Sequence, residues 1–204
     1  VDYAFEGCVC LQELNLPQLK LACYRSFRGC TGLTQIYLPS LEQAGACCFA
    51  ECDQVVKLDL PLLYEADGQC FQSMNSLRQA CLPSLKKLGS HGFYQSANLV
   101  DVSLPVLREI NSFCFQDCTN LEVVEAPKAA RIEGAPFMNC AKLRSVHVRK
   151  NCNFENFECE CENCPKCKGQ MAKCLVWPLI LNACEKARQD SQKIKKLMKT
   201  YGKM

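Results

Sequence analysis

The sequence predicts a repeat solenoid, a coil of short parallel strands stacked along one axis. Three observations predict it. Proline falls at Pro17, Pro39, Pro61, Pro83, Pro105 and Pro127, every interval being 22 residues. Phenylalanine falls at Phe5, Phe27, Phe49, Phe71, Phe93, Phe115 and Phe137, again 22 apart. Apolar columns run in register with both, among them Leu16, Leu38, Leu60, Leu82 and Leu104 before the prolines and Leu19, Leu41, Leu63, Leu85 and Leu107 two residues after them. A fixed period shared by independent residue types, with no insertion, is the mark of stacked repeats.

The unit reads LxxLxLPxLxxLxxxxFxxCxx. Six full copies run from Leu11 to Lys142, with partial copies at Val1–Cys10 and Leu143–Val148. Leucines two apart in LxxLxL have strand spacing, so alternate residues share a face. Proline lacks a backbone donor and ends that strand. A second short extended piece follows, as at Leu19 to Ala22 or Leu107 to Ile110. The segment around FxxC then turns the chain back. One unit cannot bury its own apolar side, whereas stacked units can, with strands about 4.8 Å apart. The phenylalanines then form an aromatic spine inside the coil.

The pattern LP-x-L-x-x-[LI]-x-x-x-x-F-x-x-C-x-x-L resembles the BspA-like, or treponemal-type, leucine-rich repeat. The resemblance covers roughly residues 1 to 148. It implies a leucine-rich-repeat solenoid that serves in interaction or adhesion rather than in catalysis. The last copies depart from the pattern. Ala126 and Ala129 replace leucines, and Pro136 precedes Phe137. A fading or capping repeat has this character.

Nineteen of 204 residues are cysteine, a density that in a short secreted chain signals a disulfide scaffold. Here they sort into three groups. Cys8, Cys30, Cys52, Cys118 and Cys140 share one repeat position, three after Phe, which Met74 and Ser96 fill in the other copies. This reads as a buried ladder of small residues, since free Cys packs as a small hydrophobe, and the resemblance implies Cys there as consensus. Cys10, Cys23, Cys47, Cys48, Cys70, Cys81 and Cys114 are scattered over the repeats. Cys48 and Cys70 fall on adjacent coils, where a disulfide is geometrically conceivable. Cys81 lies at an outward strand position. Lone exposed thiols suit a reducing compartment better than a secreted one, so an intracellular location is favoured over the cell surface.

The third group, Cys152, Cys159, Cys161, Cys164, Cys167, Cys174 and Cys184, is local and follows the repeats. Cys159, Cys161, Cys164 and Cys167 form a CxCxxCxxC run that can hold one structural zinc tetrahedrally, or pair as disulfides in an oxidising compartment. Either way the segment reads as an end cap, covering the last coil's core and strand edge. The expected organisation is a solenoid over 1–148, a Cys-rich cap over 149–178 and a basic helical tail over 179–204. In the tail, Ile194, Leu197, Met198 and Tyr201 recur at helical spacing among Lys193, Lys195, Lys196 and Lys199. Its stripe can pack on the cap, or the helix can meet an acidic partner. Nucleic acid ranks last, because no aromatic residues interleave to stack bases. The net charge of +3 does not argue for it either.

No run of eighteen apolar residues exists to span a membrane. The sequence has no GxSxG, Walker or GxGxxG element and only two histidines, His91 and His147. The chain is therefore expected not to be an enzyme. His91 reads as a solvent-exposed turn residue. The expected function is a protein-interaction surface, as adhesin or scaffold, formed by the outward strand columns. The alternative is an intracellular assembly protein with a zinc-stabilised cap and a basic tail. One outward column runs Asn15, Tyr37, Asp59, Cys81, Ser103, Glu125, His147; its neighbours vary as freely. Tyr37, Arg78 and Arg144 are the expected anchors for a protein partner, because aromatic and Arg side chains dominate interface energetics.

Overall fold

The structure, a computed structural model, describes residues 1–149 and 152–155. It is a stacked series of about six coils with two parallel sheets and a third wall of turns, and no helix occurs among the described residues. Of the cap expected over 149–178, residues 149 and 152–155 are described; the rest of it and the tail lie outside the described residues. Each coil contributes two strands. In chain order they are Glu13–Asn15 (β1), Leu21–Ala22 (β2), Gln35–Tyr37 (β3), Gln43–Ala44 (β4), Lys57–Asp59 (β5), Glu65–Ala66 (β6) and Gln79–Cys81 (β7). Then follow Lys87–Leu88 (β8), Asp101–Ser103 (β9), Glu109–Ile110 (β10), Val123–Glu125 (β11), Arg131–Glu133 (β12), Ser145–His147 (β13) and Asn153–Glu155 (β14).

All pairings are parallel and in 22-residue register, as in Leu58 beside Ala80 and Ala80 beside Val102. The odd-numbered strands form the first sheet and the even-numbered strands the second. Each ladder is interrupted once. The first sheet breaks between β3 and β5, the second between β8 and β10. The breaks fall at different levels, so at each one the opposite sheet runs through. At the second break the Asn111 side-chain amide donates to the Leu88 carbonyl, supplying a side-chain bond where the ladder lapses.

The second extended piece is shorter than the sequence suggests, two or three residues in each coil. The FxxC segment does more than turn. The residues two before Phe (Tyr3, Arg25, Cys47, Gln69, His91, Phe113) and two after it (Gly7, Gly29, Glu51, Ser73, Gln95, Asp117, Asn139) have φ between 51° and 70°. These left-handed residues aim the backbone N–H groups along the solenoid axis. Phe27, Phe49, Phe71, Phe93 and Phe115 each donate to a carbonyl of the next coil at 2.8–2.9 Å. A left-handed conformation costs a non-glycine residue about 1–2 kcal/mol, and the inter-coil bonds offset it.

Inside, consecutive phenylalanine rings from Phe5 to Phe137 stack with centroids 5.1–6.0 Å apart. Phe49, Phe71, Phe93 and Phe115 are fully buried. Burial of each such ring stabilises the fold by about 1.5–3 kcal/mol, and stacking adds roughly 0.5–1.5 kcal/mol per pair.

The cysteine column has a sharper role than small hydrophobe. The Cys30, Cys52, Cys118 and Cys140 thiols each donate to the carbonyl of the preceding coil's Phe, at 3.0–3.2 Å. Ser96 makes the same bond to Phe71 at 3.1 Å. Serine thus supplies the same donor as cysteine at this position, whereas Met74, one level before it, fills the space without one.

Candidate protein-binding face

On each strand of the first sheet the middle side chain points inward and its neighbours point out. Leu58, Ala80, Val102 and Val124 are buried, while Lys57, Asp59, Gln79, Cys81 and Asp101 are exposed. The alternation follows from the period-two geometry of a strand. The outward columns expected from the sequence therefore do face solvent.

The three expected anchors all lie on this side. Tyr37 ends β3 and is 59% exposed. Arg78 is exposed immediately before β7. Arg144 is exposed immediately before β13, its guanidinium 3.5 Å from the Glu122 carboxylate. They do not converge into one cluster. Tyr37 and Arg78 are two coils apart, and Arg144 lies three coils further along.

Between them the sheet carries a shallow cleft of about 410 Å³, lined by Lys57, Gln79, Ala80, Cys81, Asp101, Val102, Ser103, Val123 and Glu125. The small side chains of Cys81 and Ser103 leave its depth. At its far end Glu125 meets His147, with 2.6 Å between carboxylate oxygen and Nδ1. Beyond residue 21, the exposed large apolar side chains among the described residues are Tyr37, Val56 and Leu62. They sit on the second and third coils, beside the break in the first sheet. Selecting anchors by residue type missed Lys57, Asp101 and the small residues that hollow the cleft, although all stood in the outward columns.

The other two walls are occupied by structural contacts. On the second sheet, Lys20 pairs with Glu42 at 3.1 Å, Glu65 bridges Gln43 and Lys87, and Glu109 pairs with Arg131 at 2.6 Å. Lys87 and Gln43 hold the Glu65 carboxyl below its ordinary range. On the turn wall, Arg28 meets Glu51 at 2.8 Å and Glu6 at 3.4 Å. Arg25 lies over the Tyr24 ring.

His91 differs from the sequence expectation of a solvent-exposed turn residue. It is half-buried, between the Tyr94 ring at 5.4 Å and the Phe113 ring at 5.1 Å, and burial lowers its pKa. The repeat period places Phe113 at the homologous position one coil on, so the aromatic neighbour was legible.

The twelve cysteines between Cys8 and Cys140 are free thiols. Burial pushes the Cys114 and Cys140 thiols up to about 12 and raises Cys48, Cys52, Cys70 and Cys118 as well. These thiols stay protonated at neutral pH and are poor nucleophiles and metal ligands. Among the described residues no group of three or more His, Cys, Asp or Glu is placed to hold a metal ion. No described helix is long and apolar enough to cross a membrane. Cys159, Cys161, Cys164 and Cys167 lie outside the described residues.

A family model for the BspA type leucine-rich repeat region matches in six copies, over residues 1–106 and 63–166. A solved leucine-rich repeat protein from T. pallidum is 29% identical, with 70% of this chain and 69% of that one covered and a TM-score of 0.63. One from Bacteroides ovatus is 19% identical, with 76% of this chain and 59% of that one covered and a TM-score of 0.51, and shares the fold. No curated protein matches the sequence.

Proposed function

The chain belongs to the BspA-type leucine-rich repeat family, and from that premise we propose that it is a non-catalytic protein-interaction module, an adhesin or scaffold that engages its partner through the first sheet. The observation that carries this reading is the contrast between the walls. The first sheet presents Tyr37 and Arg78 beside an open cleft, whereas the second sheet and the turn wall are laced by inter-coil contacts. Tyr37, Arg78 and Arg144 are the anchors.

The test is cross-linking of the purified chain to extracts of its source cells, identification of the partner, and affinity measurement on variants. Joint Tyr37→Ala, Arg78→Ala and Arg144→Ala should weaken binding at least tenfold. Joint Lys86→Ala and Arg108→Ala, on the second-sheet side, should leave it within twofold. The opposite pattern would overturn the proposal.

A second reading is an intracellular assembly protein. The column thiols that donate to carbonyls act as reduced thiols, which supports it. In that version Cys159, Cys161, Cys164 and Cys167 hold a structural zinc within a cap over 149–178, and the tail over 179–204 meets an acidic partner. Intact mass with and without chelator and reductant separates this from a disulfide cap.

A further inference from the structure

Among the described residues, Lys57, Arg78, Lys86, Arg108, Lys128 and Arg149 make neither an ion pair nor a side-chain hydrogen bond. Lys57 and Arg78 lie on the first-sheet side. The other four share one corner of the coil, on four consecutive levels, and all are exposed.

This corner joins each first-sheet strand to the second-sheet strand that follows it. It runs from Leu82 to Lys86 between β7 and β8, and from Leu104 to Arg108 between β9 and β10. On the next level it runs from Ala126 to Ala130 between β11 and β12, and Val148 and Arg149 open it after β13. No aspartate or glutamate occurs in these stretches. Lys86 and Arg108 stand three residues after their prolines, Lys128 stands one after, and Arg149 takes the proline position itself, 22 residues beyond Pro127. Parallel strands lie about 4.8 Å apart, so the four cations follow one another over about 14 Å of the solenoid axis. Like charges on neighbouring strands repel unless something neutralises them. Nearer the N-terminus the same corner is balanced, with Lys20 paired to Glu42 on the next coil.

The acids that border the strip are already engaged. Glu125, on the first-sheet side, pairs with His147, while Glu65 and Glu109, on the second-sheet side, pair with Lys87 and Arg131. They confine the uncompensated charge to a narrow line. A broad anionic surface, such as a membrane or a nucleic-acid duplex, would bring its own charges against these carboxylates, whereas a single acidic chain would not. The described corner stretches carry no aromatic side chain on which a base could stack. Their one uncharged polar side chain, Ser84, already donates to the Pro61 carbonyl at 2.7 Å, so the hydroxyls of a sugar chain would find no uncharged side chain to bond. Between the cations the surface is apolar, formed by Pro83, Val106 and Pro127.

We propose that this corner is a second interaction surface, separate from the first-sheet face, and that it takes an acidic peptide segment laid along the solenoid axis. The carboxylates meet Lys86, Arg108, Lys128 and Arg149, and the methylene groups and backbone of the segment rest on the prolines and Val106. An extended peptide shows a side chain on one face every 6.6 Å or so, so a run of acidic residues supplies about three carboxylates over this length. The long, flexible Lys and Arg side chains take up the difference in spacing.

The probe is fluorescein-labelled octaglutamate, read by anisotropy with the full chain at low salt, and octaglutamine is the control. Octaglutamate should bind, octaglutamine should not, and the affinity should fall as salt rises. Joint Lys86→Glu and Arg108→Glu should weaken binding at least fivefold. Joint Lys57→Glu and Arg78→Glu, the same change of charge on the first-sheet side, should leave it within twofold. Carbodiimide coupling of the bound peptide, mapped by mass spectrometry, should join it to Lys86 and Lys128 more than to Lys57. Equal effects of the two double variants, or coupling confined to the tail lysines Lys193, Lys195, Lys196 and Lys199, overturns the proposal. So does a sulfated oligosaccharide or an oligothymidylate of equal charge that displaces the probe more effectively than unlabelled octaglutamate, since another class of polyanion would then be the better fit to the strip.

Discussion

Replacing Ser96 with Ala tests whether the column three after Phe selects a hydrogen-bond donor or merely a small side chain. Ser96 is fully buried. Its hydroxyl donates to the Phe71 carbonyl at 3.1 Å and accepts from the Met74 N–H at 3.3 Å. Met74 itself cannot supply a donor at the preceding level. Removing the hydroxyl strips both groups of this partner, and each orphaned buried group costs about 1–3 kcal/mol. The Met74 N–H can fall back on the Phe71 carbonyl, as the Cys30 N–H bonds to the Phe27 carbonyl at 3.3 Å. That recovery brings the expected loss to about 2 kcal/mol, equivalent to a fall in Tm of roughly 4–8 °C for a chain of this size. Ser96→Cys restores the column's usual donor and should cost under about 1 kcal/mol, thiols being weaker donors than hydroxyls. The assay is urea denaturation followed by far-UV circular dichroism, with thermal melts alongside. Ser96→Ala within about 0.5 kcal/mol of the parent, or Ser96→Cys no more stable than Ser96→Ala, would refute the donor argument, since ordinary surface changes fall in that range.

The stacked spine makes a graded prediction: Phe71→Ala, at a fully buried ring, should destabilise by about 3–5 kcal/mol, whereas Phe5→Ala, at a ring 41% exposed, should cost less than half as much in the same denaturation assay. Equal losses would mean that the spine's centre is no better packed than its end. Under native conditions at pH 7.5, maleimide labelling mapped by peptide mass spectrometry should modify exposed Cys81 readily and spare Cys48, Cys70, Cys114 and Cys118 until denaturant is added. Comparable labelling of Cys114 and Cys81 would contradict the burial that holds the former thiol protonated.

The parts of the fold that were legible in the sequence are those set by side-chain size. Inward leucines and phenylalanines must recur wherever coils pack, so the period gives the coil height, the first strands and the spine. The turn wall was harder to read because its structure rests on backbone angles. Gly7, Gly29, Asp117 and Asn139 hint at left-handed residues two after Phe, but Glu51, Ser73 and Gln95 take the same conformation without advertising it. In the cysteine column, Ser96 pointed to a donor while Met74 pointed to an apolar filler, and composition alone could not choose. The interaction face was legible as a set of columns. Its cleft was not, since hollowness at Cys81 and Ser103 depends on which small residues become neighbours once the 22-residue register is applied in space.

The same register explains why binding specificity can reside on the first sheet at little cost to folding. Stability in a solenoid comes from contacts between neighbouring coils, and here those contacts are carried by the spine, the thiol-to-carbonyl bonds and the ladders of the turn wall. The second sheet adds side-chain pairs between coils, so a change at Glu65 disturbs both Gln43 and Lys87. A change at Lys57 or Asp101 breaks no such pair. The column Asn15, Tyr37, Asp59, Cys81, Ser103, Glu125, His147 contains no residue twice, while the spine holds phenylalanine at every level. Surface substitutions away from packed or paired groups move stability by only about 0.5 kcal/mol. The central strands of the first sheet are thus the part of the coil where side chains can be set by what they meet outside the molecule, because little inside it constrains them.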